Sequence, residues 1–474
     1  MKINLEEKLI CYNCIGETFL ASEVEQKGSP ITCSYCDTED IEGFSLSELA
    51  DRIDTAFQHH YDRMPENIPD DWSLDQIKRM AGDWEPDGVQ VIYAIMDAVD
   101  ISEEAASDVQ QILADKHYSH SSAEIGETGD YHEESYYDTK SPDDAEWQKK
   151  WEEFEEILKT RNRFFSKEAT EHLRSVFGHI DYLKTHDHKP VVKFIGPGTD
   201  ISILYRARAF QSEAKLKLAL ESPDTELGPP PTNYARAGRM NASGISVFYG
   251  ATNAKTAIAE IRPPVGSNVT VTKFEVIRPL KMLDLSALIY TSVKGSIFDV
   301  TYAGLLSRTM FLRKLSQRMT KPIMPDDEHF EYLPTQAIAD FLGSEFEFDG
   351  IIFPSAQSKD GLNLALLNHA SRVVKIENPK GSKVEASLRD WEDDMEIVSY
   401  SVQVKVLEDE LKSELWDVLG YKWTEDQDQR KESLSIDVKS ITVNYIKSVE
   451  INSTSLPVFH EVSVHRKLTS PNDI

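Results

Sequence analysis

Hydrophobic positions along the chain follow three regimes. Between residues 45 and 175 they recur at helical spacing. Leu46, Leu49, Ile53 and Phe57 lie three or four apart, which places them on one face of a helix. Ser45 and Glu48 form a capping box that opens it. Pro65 and Pro69 interrupt the pattern. A second helix is predicted from Gly88 to about Val99, and a third behind Ser102 with Val109, Ile112 and Leu113 inside. A long polar helix over 145–175 would bury Trp147, Trp151, Phe154, Ile157 and Leu158. In the middle regime, short apolar strands at 246–249 and 351–353 alternate with helical stretches at 253–261 and 302–319. After about residue 395 the period drops to two. Tyr400, Val402, Val404 and Val406 alternate with polar residues, as do Ile441, Val443, Tyr445, Val449 and Ile451, then Val458, Val462 and Val464. These read as half-buried, antiparallel strands, with a polar stretch, 424–433, between the first set and the rest. The pattern predicts an α+β protein of several domains, without repeats or heptads.

Some segments fit no regime. Residues 119–146 are rich in Ser, Asp, Glu, Gly and Tyr and read as an acidic loop or linker. Residues 185–198 read as a connector, and Pro229, Pro230 and Pro231 as part of a long loop that can border a cleft. Helix 302–319 has Leu305, Leu312, Leu315 and Met319 on one side and Arg308, Arg313, Lys314 and Arg318 on the other. The basic side is either solvated or a docking surface for an acidic partner or for the chain's own acidic loop.

Composition narrows the classes. The 474 residues give ample core for two to four domains, and 40% are hydrophobic. No apolar run is long enough to span a membrane, and the start, Met1 to Glu7, has no signal-peptide character. A cytoplasmic protein with no membrane partner is expected. The net charge of −30 argues against nucleic acid as a general partner. It also makes any arginine-lined cleft stand out. The four cysteines, Cys11, Cys14, Cys33 and Cys36, form two Cys-x2-Cys knuckles. That spacing suits a tetrahedral, structural Zn2+ with no open coordination position, and predicts a zinc ribbon over residues 1–43.

The chemistry-bearing residues cluster between 200 and 360. They comprise Leu204-Tyr205-Arg206-Ala207-Arg208, then Gly238-Arg239-Met240-Asn241-Ala242-Ser243-Gly244. Val247-Phe248-Tyr249, Ala257-Ile258-Ala259-Glu260 and Asp349-Gly350-Ile351-Ile352-Phe353-Pro354-Ser355 follow. Taken singly, each is ordinary: a surface arginine, a core tyrosine, a turn serine. Together they supply forked cations for phosphate, an aromatic face, a carboxylate able to stabilise an oxocarbenium-like ribosyl cation, and a hydroxyl to position it. Pro263 and Pro264 should stop the helix that carries Glu260, and Ser355 should follow a strand that Pro354 ends.

These blocks, in this order over roughly 190–380, resemble the RES family of NAD+-destroying toxin and defence enzymes. The resemblance implies an ADP-ribosyltransferase-like fold, with a mixed, β-rich core split around an NAD+ cleft. It implies Arg206, Tyr249, Glu260 and Ser355 as catalytic residues. It implies Arg206, Arg239, Tyr249 and Gln336 as residues that bind or border NAD+. Arg206 fits the family pattern better than Arg208. The preceding helices resemble the HEPN-like domain of longer RES proteins. The expected order is a zinc ribbon (1–43), a helical HEPN-like domain (44–186) with the acidic loop 119–146, a RES-like domain (187–380) and a β-rich extension (381–474). The implied activity is NAD+ glycohydrolysis or phosphorolysis, with an antitoxin or trigger protein as partner. Homo-oligomerisation is left open. Residues 119–146 are a candidate autoinhibitory cover for the cleft. One rival is a HEPN-type ribonuclease or RNA-binding module using Arg174 and His179, whose spacing fits an Arg-x4–6-His motif. Another is a protein ADP-ribosyltransferase or nucleotide-binding regulator. For arginine modification the usual Glu-x-Glu pair is missing, since Ile258 stands two before Glu260.

Overall fold

The computed structural model describes residues 5–64, 88–118, 129–161, 166–379, 381–392, 395–406, 428–451 and 453–461. The N-terminal part opens with a three-stranded sheet, Leu9–Cys11, Ile41–Ser45 and Ser29–Ile31. Ser45 caps helix Leu46–His60, and Glu48 completes the capping box. Leu46, Leu49, Ile53 and Phe57 are all buried, as their spacing predicts. Helices Val91–Val99 and Glu103–Lys116 pack with it, the latter capped by Ser102. One core unites them with Ile10, Leu20 and Phe44 of the cysteine-bearing segment.

The acidic segment departs from the linker reading. Its first part, 119–128, lies outside the described residues. From 129 on it is built into the fold. Tyr136–Thr139 pairs with Tyr61–Arg63 and Val89–Gln90, and Tyr131 and Tyr137 are buried around Phe57. The aromatic residues decide this, because their burial outweighs the local charge density. The helix expected over 145–175 is also in pieces. Ala145–Glu156 runs into a π turn, Ile157–Arg161, and Lys167–Phe177 is a separate helix.

The second half is organised by a nine-stranded sheet. We number its strands β1 (Val192–Ile195), β2 (Ile203–Phe210), β3 (Phe248–Ala251), β4 (Asn268–Val276) and β5 (Leu280–Asp284). They continue as β6 (Gly350–Pro354), β7 (Leu362–Leu366), β8 (Arg372–Val373) and β9 (Glu432–Tyr445). The order across the sheet is β8-β9-β4-β2-β3-β7-β6-β5-β1. Only β5–β6 and β8–β9 are parallel. Alternation along the strands feeds two cores. Ile351 and Ala365 face one with Phe311, Leu315 and Ile338, while Ile352, Leu364 and Leu366 face the other with Phe248 and Phe274. The connector 185–198 thus contains a sheet strand, β1, and the C-terminal region supplies another, β9.

Two further expectations change. Trp151, Phe154, Leu173 and Phe177 belong to the same core as Phe311 and Ile338, so the helices at 145–177 pack with the second half. The strands Lys383–Glu392 and Met395–Lys405 form a hairpin whose outer strand leaves Val398, Val402 and Val404 exposed, with Val406 just beyond it also exposed. The inner strand packs on helix Glu213–Glu221, where the Ala386 amide donates to Glu221 at 3.0 Å. Val449, Ile451 and Val458 are exposed and lie in no strand, and Val462 and Val464 fall outside the described residues.

Candidate active site

The sheet opens between β2 and β3. These strands share a single register pair, Ala251 with Tyr205, whereas β2 and β4 pair over eight residues. A cavity of about 260 Å³ lies at this opening. Tyr205, Arg206 and Ala207 line it from β2, and Tyr249, Gly250 and Ala251 from β3. Ala257, Glu260 and Ile261 close one side, Phe353 and Asn363 another.

Glu260 ends helix Ala254–Glu260, which Asn253 caps through the Thr256 amide at 2.8 Å. A carboxylate at a helix C-terminus opposes the helix dipole, so this position does not serve helix stability. Ser355, just past β6, donates to Glu260 Oε1 at 2.5 Å. Asn363 Nδ2, from β7, donates to the same oxygen at 2.8 Å. The Gln357 and Ser358 amides donate to Ser355 Oγ at 3.1 and 3.0 Å.

Arg206 donates through Nη1 to the Tyr249 carbonyl at 2.8 Å and stacks over the Phe248 ring. Burial, with Arg208 nearby, brings its guanidinium down to about 10, so it remains cationic at neutral pH. No ion pair joins it to Glu260 among the described residues. Burial pushes the Tyr249 hydroxyl up to about 12. It stays protonated, donates to Asn241 Oδ1 at 2.8 Å and accepts from the Met240 amide at 3.0 Å. Tyr249 is thereby locked against the 238–241 turn. Gly238 belongs there for a packing reason: a Cβ would lie 2.8 Å from the Tyr249 hydroxyl oxygen.

Of the expected site residues, the structure brings Arg206, Tyr249, Glu260 and Ser355 together. Arg239 and Gln336 stand outside the cavity lining. Arg239 spends Nη1 on the Met319 carbonyl at 2.7 Å and Nη2 on the Lys321 carbonyl at 2.8 Å, closing the end of helix Tyr302–Thr320. Gln336 donates to the Gly238 carbonyl at 2.8 Å and so braces the same turn. Arg208 is exposed and turned to Glu226. Arg174 pairs with Glu345 at 2.6 Å. Helix Lys167–Phe177 stops before His179, which is exposed and takes a left-handed φ of 57°.

The RES domain family matches residues 203–391. This segment is a RES domain. HEPN/RES N-terminal domain 1 matches residues 26–172, so the RES domain follows a HEPN/RES N-terminal domain. No curated protein matches the chain. Among solved structures, the crystal structure of the M. tuberculosis MbcT–MbcA toxin–antitoxin complex matches at 13% identity, covering 36% of this chain and 76% of that chain, with a TM-score of 0.20. A likeness that small carries no argument about this fold.

The RES domain's cavity also contains residues that the sequence motifs passed over. Tyr205 sits inside a quoted block but was given no role. Asn363 is a polar residue within an apolar strand, Leu362–Leu366, and that break in alternation was its only signal.

The cysteines form a second site. Cys11, Cys14, Cys33 and Cys36 place their Sγ atoms within 4.8 Å of one another. Cys11 and Cys36 are 3.6 Å apart, and Cys14 and Cys33 3.8 Å. A tetrahedron with Zn–S bonds of about 2.3 Å has edges of about 3.8 Å, so the cluster fits such an ion. No helix among the described residues is long and apolar enough to cross a membrane.

Proposed function

We propose that this RES domain cleaves the nicotinamide–ribose bond of NAD+, and that Arg206, Tyr249, Glu260 and Ser355 form its active site. The observation that carries this reading is Glu260. Two neutral donors orient its carboxylate in a cavity that also holds an unneutralised guanidinium. The C1′–N1 bond breaks with its electron pair going to the pyridinium nitrogen, and nicotinamide leaves neutral. No proton donor is needed for that departure. Positive charge moves to C1′ and the ring oxygen of the ribose, where a fixed carboxylate stabilises it. Water then adds at C1′ and loses its proton to solvent, or phosphate adds as an anion. Arg206 suits the pyrophosphate, and Tyr249 offers a ring held in one orientation.

Within the same reading, the four thiolates hold a structural Zn2+, which gives a small segment the stability its own core cannot supply. The biological role is growth arrest or phage defence by NAD+ depletion, with an antitoxin or trigger protein as partner. Full-length protein incubated with NAD+, with and without inorganic phosphate, tests the reaction. Mass analysis is expected to find nicotinamide with ADP-ribose, or with a phosphorylated ADP-ribose when phosphate is the acceptor. NAD+ that stays intact under both conditions would overturn the proposal.

A further inference from the structure

Nothing in the motif blocks gives Asn363 a part in the site, yet its geometry does. Ser355 Oγ has one proton and two lone pairs. The Gln357 and Ser358 amides occupy the lone pairs, so the proton has one direction left, toward Glu260 Oε1 at 2.5 Å. Asn363 supplies the second donor to that oxygen at 2.8 Å. Among the described residues no donor reaches Oε2. Asn363 is itself 6% exposed and sits on β7, whose backbone pairs with β3 on one side and β6 on the other. Its amide is therefore delivered by the rigid centre of the sheet, while Ser355 is delivered by a turn.

We propose that Asn363 is a positioning residue. With Ser355 it clamps Oε1 of Glu260 and leaves Oε2 as the oxygen presented to the ribosyl cation. The inference rests on the NAD+-cleaving reading and deepens it. Held this way, Glu260 serves as an electrostatic stabiliser of the cation, in keeping with a leaving group that departs neutral.

The test uses full-length protein carrying Asn363→Asp, which keeps the shape but opposes the carboxylate, and Asn363→Ser, which keeps a polar group but loses the reach. Turnover should fall about ten- to hundredfold in both, with NAD+ affinity changed only a few-fold. The loss should appear in kcat with KM nearly unchanged, because the clamp acts on the oxygen that meets the cation and not on substrate binding. A merely structural residue would lower the folded fraction and leave kcat per folded molecule in place. Wild-type kcat in whichever variant remains folded overturns the clamp. Glu260→Gln, measured alongside, separates the two failures. If it is inactive while the Asn363 variants behave as wild type, only the clamp is lost. If it turns over normally, the underlying reading fails.

Discussion

At the residue scale, two arginines from the quoted motifs have opposite fates. Arg206 has one protein acceptor, the Tyr249 carbonyl, and it lines the cavity. Arg239 has both Nη groups committed to the carbonyls that close helix Tyr302–Thr320. Residue type and motif membership did not separate them, because the carbonyls that occupy Arg239 lie about eighty positions further along the chain. Substituting each with alanine should therefore act differently. Arg206→Ala should weaken NAD+ binding about ten- to hundredfold, the effect of losing a charge-assisted contact, with little change in melting temperature. Arg239→Ala should lower the melting temperature and leave the affinity of the folded protein within a few-fold. Calorimetric titration and thermal melts on the two proteins check this, and equal losses of affinity would contradict it.

At the element scale, elements whose ends carry chemical signals were legible in the sequence. Ser45, Ser102 and Asn253 each accept a helix amide, and each helix begins where its cap predicts. Elements that depend on distant partners were not legible. Helix Tyr302–Thr320 shows this for charge. Arg308 donates to the Val176 and Gly178 carbonyls, Arg313 to Thr291, Lys314 to Asp144 and Arg318 to Gln148. Its basic side is thus paired with groups of the same chain, partly on the segment read as a linker. Burial works against the Asp144 carboxylate, but Lys314 and Gln148 outweigh it and hold its pKa below the ordinary 3.8. A depressed carboxylate pKa stabilises the fold above the unfolded value and loses that contribution as pH falls through the folded one. Asp144→Asn should therefore cost about 1–2 kcal/mol near neutral pH, discounted because Lys314 is half exposed. Denaturant titrations at pH 7 should show the deficit, and it should shrink below pH 3.8. An Asp144→Asn protein as stable as the wild type at pH 7 would contradict a stabilising Asp144–Lys314 pair. The cysteine cluster makes a separate claim. Purified protein should carry about one zinc per chain, and Cys14→Ser or Cys33→Ser should melt the N-terminal segment first. Metal analysis finding none, on protein kept from chelators, would rule out the structural zinc.

At the scale of the whole molecule, the α+β, multidomain architecture follows from local pattern plus motif order, and the RES and HEPN/RES N-terminal matches agree with it, while the four proposed site residues come together around one cavity. What pattern could not supply is how cores are shared. Period tells which face of a strand or helix is buried, not what buries it, so Trp151 and Phe154 gave no sign that Phe311 is their partner. Likewise the alternation of Tyr400, Val402, Val404 and Val406 predicted a half-buried face that the structure leaves exposed. The central claim is chemical, and it depends on one carboxylate. Full-length Glu260→Gln keeps the side chain's shape and removes its charge. NAD+ turnover and NAD+ binding should be measured on this protein beside the wild type. Binding is predicted to survive within a few-fold, and turnover to fall by about 10²–10³ or more. A folded Glu260→Gln protein that consumes NAD+ at the wild-type rate would contradict the account.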